Sequence, residues 1–207
     1  MAKVLLINGS PKKEGNTFIA LSEIEKVLNS EGIETEIIHI GHKDIHGCVT
    51  CYKCGELKRC VFNDIVNDVS KKFQEADGLI IGSPVYYASP AGTLMAFLDR
   101  LFLSSKFDKT MKVGAAVTVA RRGGMSSTFD VLNKYFTICG MPVVSSQYWN
   151  MVYGRYPGEA VNDLEGLQTM RRLGKNMAFL IKSIQLGKES FGAPTFDETP
   201  IMTNFIK

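Results

Sequence analysis

Excess charge is nearly absent from this chain: 24 lysines and arginines stand against 21 acidic residues, a formal surplus of +3. So small a surplus is no footprint for a polyanion, and no basic stripe with interleaved aromatics occurs, which sets nucleic acid aside as a partner. Long apolar runs are missing too. The stretch 4–7 in "MAKVLLINGSP" is shorter than a signal-peptide core and far shorter than a membrane span, so a cytoplasmic protein with no membrane partner is expected. No segment is rich enough in Gly, Ser or Pro to serve as a linker, and no internal repeat occurs. One domain is therefore expected. Cysteine is scarce outside a single short segment: of five in the chain, four lie within residues 48–60.

Apolar residues make up 45% of the chain, enough for a substantial core, and short β-rich runs alternate with longer helical patterns. "KVLLING", "ETEIIHI" (34–40), "GLIIGSPV", "KVGAAVTVA" and "MPVVSSQYW" read as strands one to five. Between them the periodicity predicts helices over 17–29, over 64–75 with Asp64 as N-cap, along the stripe Leu94, Phe97, Leu98, Leu101, Phe102, and over 126–138. A last helix is expected over 164–184. This pattern specifies an α/β fold, a doubly wound five-stranded parallel sheet of order 2-1-3-4-5. The domain is expected to span 1–187, with the cysteine segment inserted at about 45–63; the tail 188–207, with two prolines and little periodicity, is expected to wrap the surface or a neighbouring subunit.

Three loops leave strands one, three and four on one edge of such a sheet, where this architecture binds ligands. "NGSPKKEGNT" offers the hydroxyls of Ser10 and Thr17, the amide of Asn16, a backbone made pliable by Gly15, and the free N–H groups of a helix start, all suited to a phosphate. It is neither a P-loop nor a three-glycine dinucleotide fingerprint. Taken alone, a polar loop that merely caps the helix would read the same way. "GSPVYYASPAG" (82–92) supplies the flat rings of Tyr86 and Tyr87 on a segment stiffened by Pro84 and Pro90. In "ARRGGMSS" (120–127), Gly123 and Gly124 permit close backbone approach, while Arg121 or Arg122 could balance negative charge or simply lie in solvent.

The cysteines are spaced C-x2-C-x2-C-x5-C through Cys48, Cys51, Cys54 and Cys60. The first three resemble the start of a bacterial ferredoxin run, but the fourth comes late and no proline follows it. Ordering this segment costs backbone entropy that Val49, Tyr52 and Leu57, its sizeable apolar groups, cannot offset by their own burial. A metal centre, a disulfide, mobility, or contacts from the rest of the fold remain the alternatives. Zinc ribbons usually separate two cysteine pairs by a longer stretch. Cys139 reads as a small core residue, and His39, His42 and His46 as surface groups rather than ligands.

"GSPKKEGNT", "GSPVYYASPAG", "ARRGG" and "YWNMVYGRYPGEAVNDLEGLQTMRRLGKNMA", together with the closing "TNFIK", resemble the NADPH-dependent FMN reductase superfamily of flavodoxin-like proteins, and more closely its iron-sulfur flavoproteins. The resemblance implies a flavodoxin-like fold and FMN as cofactor. It places the phosphate on Ser10, Lys12, Gly15, Asn16 and Thr17, and the ring system near Pro84, Val85, Tyr86 and Tyr87, partly covered by Arg121, Gly123 and Gly124. It also implies that Cys48, Cys51, Cys54 and Cys60 ligate one [4Fe–4S] cluster, which aerobic isolation can strip, and that the protein assembles as a homodimer or homotetramer. The expected activity is electron transfer from a ferredoxin-like donor through the cluster to FMN and on to a small acceptor such as a quinone, oxygen or peroxide. Two rivals stand beside it: a cluster-free NAD(P)H-dependent flavin or quinone reductase, and a non-catalytic redox sensor.

Overall fold

The computed structural model describes residues 1–203; residues 204–207, within "TNFIK", lie outside the described residues. Five parallel strands form the sheet. They are β1 (Lys3–Asn8), β2 (Glu34–His39), β3 (Gly78–Tyr86), β5 (Val113–Ala120) and β6 (Met151–Tyr153), in the order β2-β1-β3-β5-β6. Counting parallel strands alone, this is 2-1-3-4-5, the order expected. A two-residue strand, β4 (Ser89–Pro90), folds back antiparallel on the end of β3.

β1 is buried from Val4 to Asn8 because helices cover both faces of the sheet, as parallel sheets require. Its alternation assigns the layers. Val4 and Leu6 pack with α1 (Asn16–Ser30) and α6 (Leu164–Phe191), through Leu21, Ile24, Met170 and Met177. Leu5 and Ile7 pack instead with α3 (Ile65–Glu75), α4 (Gly92–Ser104) and α5 (Met125–Thr137), through Phe73, Leu94, Phe97 and Phe136. A single turn, α2 (Cys54–Leu57), lies inside the cysteine segment. Asp64 caps α3 as expected, its Oδ1 accepting the Val66 N–H at 3.1 Å. Among the described residues no helix is long and apolar enough to cross a membrane.

The fifth parallel strand differs from expectation. "MPVVSSQYW" starts alongside β5, where the Gly114 N–H reaches the Pro142 carbonyl at 2.8 Å and the Val144 N–H reaches Gly114 at 2.9 Å, but only one bridge forms. The chain then loops out. Buried Asn150 closes the gap: its Nδ2 donates to the Ala116 carbonyl at 3.0 Å and its own carbonyl accepts from the Thr118 N–H at 3.0 Å. A side-chain amide here does the work of a ladder N–H, and regular pairing resumes only at β6. The last helix also outruns its expected end, continuing past Gly187 to Phe191, and residues 192–203 beyond it are exposed.

Candidate functional site

β1, β3, β5 and β6 end at one edge, and their loops enclose a cavity of about 290 Å³. It is lined by Ser10, Lys12, Gly15, Asn16 and Thr17 from the first loop, by Pro84, Val85 and Tyr86 from the end of β3, and by Arg121 after β5. These nine sequence-expected residues are brought together. Three others stand outside the lining. Tyr87 is fully exposed, in a two-residue hairpin turn where Tyr87 and Ala88 both adopt left-handed backbone (φ 51° and 57°), a geometry usually given to Asn-Gly. Gly123 faces open space, whereas Gly124 (φ 85°) lets its loop lie on that hairpin, since a Cβ there would meet Ala88 Cα at 2.8 Å.

The first loop is built to hold an anion. Ser10 is buried, its N–H bonded to Asn8 Oδ1 at 3.1 Å and its Oγ accepting the Lys12 N–H at 3.2 Å; Asn8 Nδ2 in turn donates to the Lys13 carbonyl at 3.0 Å. Gly15 precedes α1 as its N-cap and offers no side-chain cap, and among the described residues the N–H groups of residues 16–18 have no protein acceptor. Unspent donors and the positive end of the helix dipole therefore face the cavity beside Lys12. His39 supports this loop from β2, its Nε2 lying 2.7 Å from the Ser10 carbonyl and its Nδ1 3.0 Å from His42 Nδ1. Nε2–H donates to Ser10, which leaves Nδ1 to accept from His42. Burial, with the nearby His42, Lys13 and Lys43 adding to it, holds the His39 pKa below its ordinary value.

Asn16 has a different task from the one its sequence position suggests. Its Nδ2 donates to the Tyr156 carbonyl at 2.9 Å and its Oδ1 accepts the Ala160 N–H at 3.1 Å, so its amide ties α1 to the loop after β6. That loop supplies Gly154, Arg155 and Pro157 to the lining, residues that sequence reasoning missed because it ended the fifth strand at 149. Glu159 braces it by accepting the Arg155 and Tyr156 N–H groups at 2.7 and 2.9 Å, bonds that hold its carboxyl below the usual carboxylate pKa, the Tyr156 bond foremost.

A second recess, near the C-terminal end of α4, gathers Cys48, Cys51, Cys54 and Cys60. Cys48 and Cys51 are exposed, Cys60 is half-buried and Cys54 is buried, its thiol 3.8 Å from the Leu103 carbonyl. No disulfide joins them. The segment's own side chains do not order it, for Val49, Tyr52 and Leu57 are 50%, 72% and 45% exposed. Thr50, Tyr52 and Lys58 all hold left-handed φ near 55°, costly for residues with a Cβ, and among the described residues no N–H of residues 48–53 has a protein acceptor.

Arg100, on α4, is 1% exposed and closes this segment at both ends. Its Nε donates to Cys60 Sγ at 3.2 Å, Nη1 to the His46 carbonyl at 3.2 Å and to Asp64 Oδ2 at 2.6 Å, and Nη2 to Asp64 Oδ1 at 2.9 Å. The centroid of the Phe62 ring lies 4.8 Å from its guanidinium carbon. Sequence reasoning passed over Arg100, whose only signal was a cation set between Leu98 and Leu101 of an apolar stripe. Ser104 lines the recess as well, with a buried Oγ that has no hydrogen-bond partner among the described residues.

The donor set fits an iron-sulfur cluster: four thiols, a buried cation against one of them, an orphaned hydroxyl and a run of unspent N–H groups. The recess itself encloses about 20 Å³, and among the described residues no three Cys, His, Asp or Glu side chains converge on a single metal ion. A cubane gives each iron its own thiolate, so its ligands stand farther apart than those of one ion. Cys139 sits elsewhere, half-buried on the α5 side of the core, where burial pushes its thiol pKa up.

The sheet order and the anion-ready loops at its edge define a flavodoxin-like α/β protein. Among solved structures, a flavodoxin from the domain Archaea superposes with a TM-score of 0.59 at 17% identity, over 88% of this chain and 99% of that one. RosB, bound to 8-demethyl-8-formylriboflavin 5′-phosphate, superposes with a TM-score of 0.69 at 17% identity, over 100% of this chain and 93% of that one. The family model for NADPH-dependent FMN reductase matches residues 2–155. An iron-sulfur flavoprotein of Methanocaldococcus jannaschii is 39% identical over 191 residues, 88% of this chain and 99% of that protein. The chain belongs to the NADPH-dependent FMN reductase family, and within it to the iron-sulfur flavoproteins: it is a redox flavoprotein.

Proposed function

We propose that this chain binds FMN at the sheet edge and a [4Fe–4S] cluster at Cys48, Cys51, Cys54 and Cys60, passing single electrons from a ferredoxin-like donor to the flavin and on to a small acceptor. The observation that carries this reading is the meeting of all four cysteines in one recess backed by a buried arginine. When bound, the cluster supplies one-electron exchange and FMN one- or two-electron exchange. The protein's part is binding and placement. Ser10, Lys12, Thr17 and the free amides of α1 hold the phosphate, Asn16 fixes the wall opposite, and Pro84, Val85 and Tyr86 lie against the ring. The relatives' name and the riboflavin phosphate bound by RosB agree with both assignments.

An open trough of about 800 Å³ runs beside the recess, sharing Val61 with it and lined by Lys58, Arg59, Lys71 and Lys106 against a single acid, Asp68. Four cations to one acid suit an acidic electron carrier as donor. The exposed Tyr148, Trp149, Tyr156 and Phe179 support assembly as a homodimer or homotetramer. Arg121 and Arg155 at the flavin cavity favour the second reading, direct reduction by NAD(P)H whose phosphates they would meet. Anaerobic stopped-flow mixing separates the two. Rapid flavin bleaching by a reduced ferredoxin and negligible bleaching by NADPH is the expected result; rapid bleaching by NADPH with none by the ferredoxin overturns the first reading in favour of the second.

A further inference from the structure

The structure assigns Arg100 a role in setting the cluster's reduction potential: its buried guanidinium, held by Asp64, places a fixed positive charge and an N–H donor on the sulfur of Cys60. This rests on the cluster reading above and goes beyond it, because it names the side chain that decides how readily the cluster accepts an electron.

Arg100 is 1% exposed, so bulk water screens its charge little. All three of its nitrogens are directed: Nε to the thiol, Nη1 to the His46 carbonyl and Asp64, Nη2 to Asp64, with Phe62 against the planar group. A guanidinium cannot lose its proton in a protein, so the charge persists at every working pH. The fork to Asp64 also fixes its orientation, leaving Nε–H no freedom to turn from the sulfur. Lysine could bring the charge but not this geometry.

The redox step is simple to balance. One electron enters from a one-electron donor of low potential; no bond forms or breaks, no proton is taken up, and the cluster with its thiolates becomes more negative by one charge. A cation and a donated hydrogen bond at a ligand sulfur stabilise the more negative state, which raises the potential. Asp64 acts with the opposite sign. Its carboxylate compensates part of the Arg100 charge, so an electron is less favoured with Asp64 ionised than it would be with a neutral group of the same shape.

The test is a mediated titration of the anaerobically prepared holoprotein, following the cluster by its visible absorption and by electron paramagnetic resonance. In R100Q, the reduced-to-oxidised ratio at the wild-type midpoint is expected to fall at least tenfold, equivalent to a downward shift of 59 mV for a one-electron couple. R100K is expected between R100Q and wild type. D64N, which keeps a side chain able to cap α3, is expected to shift the midpoint upward. A purely structural role for Arg100 would disturb R100Q and D64N in the same direction, since both break the same ion pair. Unchanged midpoints, or shifts of one sign in both variants, overturn the assignment. Should R100Q fail to retain its cluster, R100K below wild type with D64N above it sustains the assignment, and any other order overturns it. Failure of the underlying reading is distinguishable, because wild-type protein would then lack iron and acid-labile sulfide before any variant is compared.

Discussion

His39 shows how one residue couples loop geometry to pH. It must stay neutral and in one tautomer to donate to the Ser10 carbonyl while accepting from His42. Because burial depresses its pKa in the folded protein, the unfolded chain binds the extra proton first as pH falls. Stability from this group is therefore complete above its unfolded pKa of about 6.5 and is lost as pH drops through the folded value. Melting temperatures of flavin-free wild type should decline as pH falls below about 6.5, and H39Q should lack that component. Equal pH profiles for the two proteins would show that His39 is not the titrating group. Arg100 belongs to the same scale and carries the opposite lesson about legibility. The local pattern around it reads as a helix stripe, and its partners His46, Cys60 and Asp64 come from 54, 40 and 36 residues away in sequence, so only the folded chain reveals it.

Among the elements, the exits of β1 and β2 cross so closely that Gly41 allows nothing larger. A Cβ there would lie 2.0 Å from the Ser10 carbonyl oxygen and 2.2 Å from its carbon, both backbone atoms that cannot rotate aside. G41A is expected to cost about 3 kcal/mol and to weaken FMN binding, because relief requires the β2 exit and the Ser10 loop to move apart. Chemical denaturation beside a flavin titration checks both effects; a G41A protein with wild-type stability and affinity would mean that the two exits are not in contact. The helices and the central strands were legible in the sequence because each has one dominant period and a continuous apolar face. The fifth strand was not, since its pairing with β5 is interrupted and completed by the side chain of Asn150, a contact with no local pattern. That misplaced strand also hid Gly154, Arg155 and Pro157, although the other loops of the cavity had been placed correctly from the order of strands.

At the scale of the whole molecule, two sites share one scaffold. The sheet edge gathers the loops that line the first cavity because parallel strands all end there, while the cysteine segment, inserted after β2, reaches across to α4 and is fastened by Arg100. Strand order made the first site legible; spacing named the thiols of the second but not the groups that back them. The central claim is that one chain carries both FMN and a four-iron cluster. Protein produced and isolated without oxygen, in medium supplied with iron, tests it most directly when FMN, iron and acid-labile sulfide are quantified against the chain. The account predicts about one FMN with about four iron and four sulfide per chain, and loss of the iron and sulfide but not of the FMN in C51S. Stoichiometric FMN with no iron or sulfide in the wild-type protein would contradict it.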